Sequence, residues 1–174
     1  MKKVILLLPL ILLTVVCLFF FLFILFKKDP NDPPSALLNK DLPIFSTTSL
    51  YNKDENFSSE NIKGEYILIN FFASWCTPCR AEHHLFFEIK KDKPNLFILG
   101  IAHKDDPDDS QKYLSEEGNP YTFVGLDQDG KVALEFGVFG LPETFIINRE
   151  GKIIFKHTGP LTKEIINDEI KALF

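Results

Sequence analysis

Hydrophobic and polar positions along the chain predict a domain in which strands and helices alternate. Residues 66–72 and 96–102 are almost continuous apolar runs, the pattern of strands that are buried on both faces of a parallel sheet. Between them, apolar residues recur at helical spacing over 80–91. A second helix is predicted at 107–117, with Asp residues in its first turn and Gly118 just beyond its end.

The second half of the chain predicts the closing elements of the same domain. Short strands are predicted at 42–47 and 121–126, and 144–148 and 153–158 have the pattern of a hairpin. Thr162 is expected to cap a last helix. Parallel strands joined by helices, followed by a hairpin and a helix, predict an α/β, thioredoxin-like fold with a central mixed sheet flanked by helices.

A long apolar segment precedes this domain. Residues 4–26 are 23 residues without a charge, bracketed by two lysines on each side. This is long enough to cross a hydrocarbon core of about 30 Å. No small-residue cleavage site follows, and Cys17 lacks the small preceding residue expected in a lipoprotein. We predict an uncleaved, single-pass transmembrane helix at 1–28 in the inner (cytoplasmic) membrane, with the domain exported into the periplasm or onto the outer face of the membrane.

Residues 29–40 are rich in Pro and Asp and predict a semi-stiff tether to a domain at 41–174. Four of the 19 Lys and Arg residues flank the apolar segment, so the rest of the chain has 15 of them against 24 acidic residues, a net charge of −9. This balance argues against nucleic acid and anionic lipid surfaces as partners. We interpret the acidic surface as solvated.

The candidate chemistry lies where the first long strand ends. Residues 75–79 read Trp75-Cys76-Thr77-Pro78-Cys79, and a Cys-x-x-Cys between a strand and a helix is typical of a thioredoxin-like redox site. Unpaired N–H groups and the helix dipole lower the pKa of a thiolate there. Pro78 suits the first turn, because its missing N–H would have been unpaired anyway. We expect Cys76 to be the solvent-accessible attacking thiolate and the more buried Cys79 to be the resolving thiol.

Other interpretations of the cysteine pair are weaker. A structural disulfide between such close residues would close too small a loop to add much stability. His83 and His84 follow the pair, but a structural zinc site brings a second Cys/His pair, and His103 and His157 are isolated. Haem attachment needs His directly after the second cysteine, where Arg80 stands. We therefore predict a redox pair with no metal and no bound cofactor, since the dithiol itself carries the electrons.

Segments 68–83, 118–121 and 137–145 together closely resemble one family, the membrane-anchored thiol:disulfide reductases of cytochrome c maturation of the CcmG/DsbE type. A Trp-Cys-x-x-Cys alone fits many redox proteins. In combination with the segment Gly-Val-Phe-Gly-Leu-Pro-Glu-Thr-Phe at 137–145, it fits far fewer families, so the resemblance is much more specific. The likeness extends over nearly all of the chain beyond the tether and includes Lys-Asp-Asp at 104–106.

The resemblance implies roles for further residues. Pro142 would be a cis proline facing the active site, which exposes the Leu141 backbone to a client peptide and keeps metal away from the sulfurs. Glu82 and Glu143 match acidic positions near the active site in this family. Negative charge there would disfavour the thiolate and make the couple more reducing. The alternative for each is a solvated carboxylate.

Two positions depart from related patterns. Asn70 stands where thioredoxin has a buried aspartate, so Glu82 or Glu143 would have to accept the proton of Cys79, through water. His84 stands where the family often has proline. We expect it to be an exposed histidine on the helix surface.

For function, the resemblance implies electron transfer from a membrane thiol reductase of the DsbD/CcdA kind to apocytochrome c. The cysteines of apocytochrome c, or of a dithiol partner in the same pathway, would be kept reduced for haem attachment. Alternatives are a general extracytoplasmic reductase of the TlpA/ResA sort, a non-catalytic module that holds apocytochrome, and a disulfide oxidase. The segment 142–145 favours a reductase of cytochrome c maturation over a general reductase.

Overall fold

The computed structural model describes residues 2–26, 37–62 and 64–173. The chain divides into two units, Met1–Pro33 and Pro34–Phe174. The first unit contains helix α1, Lys2–Phe26. Within the part of the chain that the structure describes, no helix has the length and hydropathy that a membrane crossing requires. The anchor at 1–28 stays a prediction, and the predicted tether at 29–40 lies mostly outside the described residues.

The second unit is a thioredoxin-like α/β domain built on a seven-stranded mixed sheet. Its main elements are β1 Ser46–Ser49, β2 Asn56–Ser58, β3 Ile67–Phe72, α2 Thr77–Asp92, β4 Phe97–His103, α3 Pro107–Glu117, β5 Phe123–Asp127, α4 Lys131–Glu135, β6 Glu143–Ile147 and β7 Ile153–Thr158. The chain ends in α5, Lys163–Ile165, which continues as a π turn, Ile166–Ile170, and a 3₁₀ turn, Lys171–Leu173. This last segment is less regular than the single helix that its apolar spacing predicts.

The strand order in the sheet is β2-β1-β5-β4-β3-β6-β7. Strands β3, β4 and β5 are parallel to one another, and the other pairings are antiparallel. The carboxyl ends of the three parallel strands therefore lie along one edge of the sheet. Strand β6 runs the opposite way beside β3, so its first residues reach the same edge.

Strand β3 is buried along its whole length because both faces of the sheet are covered. Leu68 and Phe72 point into the core on the α2 side, and that core also contains both cysteines. Ile69 and Phe71 point into the opposite core, where the rings of Phe136, just after α4, and Phe145, on β6, pack against Phe71. Burial of each such large side chain contributes roughly 2 kcal/mol, which makes β3 a firm base for the loop that follows it.

The predicted pattern of elements is largely confirmed. Helix α3 has the predicted bounds, and β3, β4, β5 and the β6–β7 hairpin lie within two residues of prediction. Helix α2 begins three residues earlier than its apolar spacing indicates, because Cys76 is the residue that caps it. The strand predicted at 42–47 is misplaced, since the pairing of β1 with both β2 and β5 places it at Ser46–Ser49. Strand β2 and helix α4 are too short to produce a periodic signal and were not predicted.

Candidate active site

Cys76 and Cys79 form a disulfide at the start of α2, with their Cα atoms 5.3 Å apart. Cys76 is the N-cap residue, and its Sγ accepts a hydrogen bond of 3.2 Å from the backbone N–H of Cys79. Pro78 lies in the first turn, where its missing N–H costs nothing. The predicted pairing is therefore confirmed, and so is its position at a helix N-terminus.

The predicted difference in exposure between the cysteines is wrong. Cys76 is 3% exposed and Cys79 is 2% exposed. The side chain of an N-cap residue turns back over the first turn of its helix, and here this turn carries Cys76 into the core on the α2 side. The exposed residue is the neighbouring Trp75, at 63%. The attacking and resolving roles of the two sulfurs stay predictions.

Glu82 lies on the second turn of α2 and is fully buried, so the interpretation as a solvated carboxylate is wrong. Its Oε1 accepts a hydrogen bond of 3.0 Å from Asn70 Nδ2, and its Oε2 accepts one of 2.6 Å from the backbone N–H of Leu161. Burial raises the pKa of Glu82 to about 7, although both hydrogen bonds act to lower it. The carboxyl can therefore bind or release a proton near neutral pH.

Asn70 connects Glu82 to other buried polar groups. Its Nδ2 also donates to Thr144 Oγ1 at 3.1 Å, and its Oδ1 accepts from the hydroxyl of Tyr121 at 2.9 Å. Burial raises the pKa of Tyr121 well above its ordinary value, so this hydroxyl stays a donor. The network joins β3, β6 and α2 and was not predicted, although a polar residue inside the apolar run 66–72 was a signal for it.

Glu143 is also completely buried, which again rules out a solvated carboxylate. Its Oε1 accepts a hydrogen bond of 2.9 Å from the backbone N–H of Phe139, and its Oε2 lies 3.2 Å from Lys156 Nζ. Lys156 Nζ donates in turn to the carbonyl of Gly137. The buried ion pair therefore holds the loop that leads into β6 from two points. No pattern in the sequence indicated Lys156 as the partner of Glu143.

The peptide bond between Leu141 and Pro142 is cis, as the resemblance implies. Because Phe71 pairs with Glu143 in the antiparallel β3–β6 ladder, Pro142 lies next to the end of β3, from which the chain continues to Cys76. Pro142 is buried and Leu141 is half-buried. The structure thus brings this segment to the same edge of the sheet as the cysteines, and its pairing with a client stays a prediction.

The two histidines after the cysteines point in different directions. His83 is buried among aromatic rings, with Nε2 2.9 Å from the carbonyl of Gly118, which requires this nitrogen to carry the proton. Burial is the main reason that the pKa of His83 is lowered. His84 is exposed, as expected. Among the described residues, no group of three or more His, Cys, Asp or Glu side chains is arranged to hold a metal.

Asp105 is a buried residue that supports the active-site loop and to which the sequence assigned no role. Its carboxylate accepts hydrogen bonds from the backbone N–H and the hydroxyl of Ser74, at 2.7 and 2.8 Å, and from the hydroxyl of Ser110. Arg80 Nε donates to the carbonyl of Ser74 at 3.0 Å. The segment just before Cys76 is thus held by two charged groups, Asp105 in the β4–α3 loop and Arg80 on α2. The only sequence signal was the Lys-Asp-Asp run at 104–106.

Comparison with known proteins agrees with this geometry. The model of the Redoxin family matches residues 38–173. The thiol:disulfide interchange protein HelX of Rhodobacter capsulatus is 39% identical over 148 residues, which cover 84% of this chain and 82% of the relative. The thiol:disulfide interchange protein DsbE of Escherichia coli K12 is 36% identical over 147 residues, which cover 84% of this chain and 78% of the relative.

A solved structure supports the fold alone. The crystal structure of a Chlorobium tepidum protein assigned as a thiol:disulfide interchange protein DsbE has a TM-score of 0.69 to this chain at 24% sequence identity. The superposition covers 78% of this chain and 96% of the other.

Proposed function

We propose a function from the premise that this chain belongs to the Redoxin family and is a thiol:disulfide oxidoreductase. It works as a reductase outside the cytoplasm, anchored in the inner membrane by its N-terminal segment. Its clients are the cysteines of apocytochrome c, or of a dithiol partner, which it keeps reduced for haem attachment. Its electrons come from a membrane thiol reductase of the DsbD/CcdA kind. The observation that carries the proposal is the Cys76–Cys79 disulfide at the N-terminus of α2.

The reaction proceeds by two thiol–disulfide exchanges. The Cys76 thiolate attacks a client disulfide, so that a bond between Cys76 and the client forms and the other client sulfur leaves and takes a proton. The Cys79 thiolate then attacks Cys76, which releases the second client sulfur. Two electrons pass to the client, and the protein ends with the disulfide that the structure contains.

Glu82 supports the reductase direction. It lies one helical turn after Cys79, and its pKa of about 7 means that a fraction of it is ionised at neutral pH. Negative charge in this position opposes the helix dipole and destabilises a thiolate, which makes the couple more reducing. A pKa of about 7 also allows Glu82 to accept the proton of Cys79 near neutral pH. Glu143 is the weaker candidate for this role, because its carboxylate is already paired with Lys156.

Client trapping tests the proposal. Cys79→Ser should leave Cys76 joined to its client, which mass spectrometry identifies. Both that variant and a matched Cys76→Ser control should carry Cys17→Ser, because Cys17 is a free, exposed cysteine that could form adducts of its own. We expect apocytochrome c or a dithiol protein of its pathway only in the Cys79→Ser sample. Unrelated trapped clients would indicate a general reductase of the TlpA/ResA sort, and equal adducts in both samples would refute the proposed roles.

Two measurements separate the remaining alternatives. A non-catalytic binding module would support haem attachment after Cys76→Ser, whereas a catalyst would lose that function even when the variant is overproduced. A disulfide oxidase would have a reduction potential near −120 mV, whereas a reductase should lie well below that value.

A further inference from the structure

A cleft of about 330 Å³ opens beside the candidate active site. Trp75, the neighbour of Cys76, forms part of one wall, and Leu141, before the cis proline, forms part of another. Helix α4 and the loop after it close the far side. A client segment that pairs with the Leu141 backbone would therefore continue directly into this cleft.

Three large apolar side chains are exposed around the cleft. Trp75, Leu134 and Phe139 line it, and the last two are 76% and 78% exposed. Large apolar side chains that are exposed around one depression mark a binding surface more often than isolated ones do. The surface fits a client segment with at least one large apolar side chain.

The charge of the cleft is opposite to that of the chain as a whole. The chain has a net charge of −5, yet the only ionisable side chains that line the cleft are His103 and Lys104. In the described part of the chain, the ammonium group of Lys104 has no ion-pair partner. A cation without a partner at the edge of an apolar surface is complementary to a carboxylate of the occupant.

The wall that carries Lys104 is held in place by the fold. His103 Nδ1 lies 2.8 Å from Asp127 Oδ2, and the buried Asp127 carboxylate also accepts hydrogen bonds from two backbone N–H groups at the start of α4. Lys104 adopts the left-handed conformation, with φ of 46°, and its side chain lies against Gly130. A Cβ at Gly130 would lie 2.6 Å from Lys104 Cε, so a larger residue there would displace the end of the lysine side chain.

We propose that this cleft is a client-binding subsite that selects a segment with a large apolar side chain and a neighbouring carboxylate close to the reacting cysteine. The apolar side chain packs on Trp75, Leu134 and Phe139, and the carboxylate pairs with Lys104. This inference rests on the proposed function, because it defines which clients of the reductase react fastest.

Matched peptide substrates test the inference. Each peptide has one cysteine joined by a disulfide to a chromogenic aromatic thiol, and the release of this thiol by the reduced full chain, with Cys17→Ser, is followed by absorbance. One peptide carries Phe and Glu beside the cysteine, a second carries Phe and Gln, and a third carries Ala and Glu. We expect the Phe–Glu peptide to react about two- to fivefold faster than the Phe–Gln peptide, the range of an exposed ion pair.

Two variants and two controls assign this preference. Lys104→Gln should bring the Glu-to-Gln rate ratio to one, while Lys112→Gln, which changes an exposed lysine outside the cleft, should preserve it. The double variant Leu134→Ser and Phe139→Ser should bring the Phe–Glu peptide down to the rate of the Ala–Glu peptide. Oxidised 2-mercaptoethanol, which is too small to fill the cleft, should react with all variants at the same rate.

Several outcomes would overturn the inference. One is a Glu-to-Gln rate ratio of one in the unsubstituted protein, and another is a Glu-to-Gln rate ratio that survives Lys104→Gln or high salt. A third is self-association of the protein that Phe139→Ser abolishes, because a second copy of the chain would then be the occupant of the cleft. The salt dependence is measured on the unsubstituted protein, so the test holds even if a variant fails to fold. Failure of the proposed function looks different, because the protein would then reduce neither the peptides nor oxidised 2-mercaptoethanol.

Discussion

The side-chain amide of Asn70 donates a hydrogen bond of 3.0 Å to Glu82 Oε1, and neither residue is accessible to solvent. Position 70 on β3 therefore holds a neutral amide. The buried carboxyl comes instead from Glu82 on α2, the helix that starts at the cysteine pair. Because the amide can donate but carries no charge, it orients Glu82 without fixing its protonation state. Burial is left as the dominant influence on the pKa of Glu82.

The first prediction concerns the pH dependence of stability that Glu82 causes. Its folded-state pKa of about 7 lies above the ordinary value of 4.5, so the folded protein keeps a proton that the unfolded chain releases. This contribution to stability is complete below pH 4.5 and is lost as the pH rises through 7. Relative to Glu82→Gln, the protein should lose about 3 kcal/mol of unfolding free energy across this window. Urea unfolding of both proteins at a series of pH values measures the difference, and a constant difference would contradict the assigned pKa.

His83 should produce a pH dependence of the opposite sign. Burial lowers its pKa below 6.5, so protonation is less favourable in the folded protein than in the unfolded chain. Stability that is present above pH 6.5 should therefore fall as the pH falls towards the lower folded pKa. His83→Gln should remove this part of the slope in urea unfolding. His84→Gln, which changes an exposed histidine on the same helix, is the control and should change the slope far less, because the charge of His84 is the smallest of the contributions to the lowered pKa of His83.

The buried ion pair of Glu143 and Lys156 should be strongly coupled. Their side chains are 0% and 6% exposed, so loss of either partner leaves an uncompensated buried charge. Glu143→Gln and Lys156→Met should each cost about 3 kcal/mol of unfolding free energy. The double variant should cost clearly less than the sum, because no unpaired charge is left. Denaturant unfolding of all four proteins gives the coupling, and strictly additive losses would show that the pair does not interact.

Asp105 should matter for the stability of the active-site loop. Asp105→Ala removes the acceptor of the Ser74 backbone N–H, of the Ser74 hydroxyl and of the Ser110 hydroxyl. Bonds to a buried charged group are strong, and we expect a loss of about 3 kcal/mol in chemical denaturation. Asp54→Ala changes an exposed aspartate and should cost little. If both variants lost the same small amount, the loop would not depend on Asp105.

The local elements and the redox pair could be predicted because their signals are local. The apolar run that becomes β3, the Asp-rich start of α3 and the two-residue spacer in Cys-x-x-Cys each act over a few neighbouring residues. Spacing alone brings Cys76 and Cys79 together at a helix start, since one helical turn separates them. The sequence thus determined the order of the elements, the class of fold and the position of the disulfide.

The environment of the acidic residues was decided only by the tertiary structure. Glu82 bonds to the backbone of Leu161, 79 residues away, and Asn70 bonds to Thr144, 74 residues away. No local pattern distinguishes a carboxylate that meets such partners from one that is solvated. For Glu82 and for Glu143, the alternative of a solvated carboxylate was therefore open from the sequence, and burial shows that it was wrong. Burial of Cys76 has the same origin, because the core that receives it is assembled from several elements. Spacing fixes which neighbours meet, whereas packing between distant segments decides which of them water can reach.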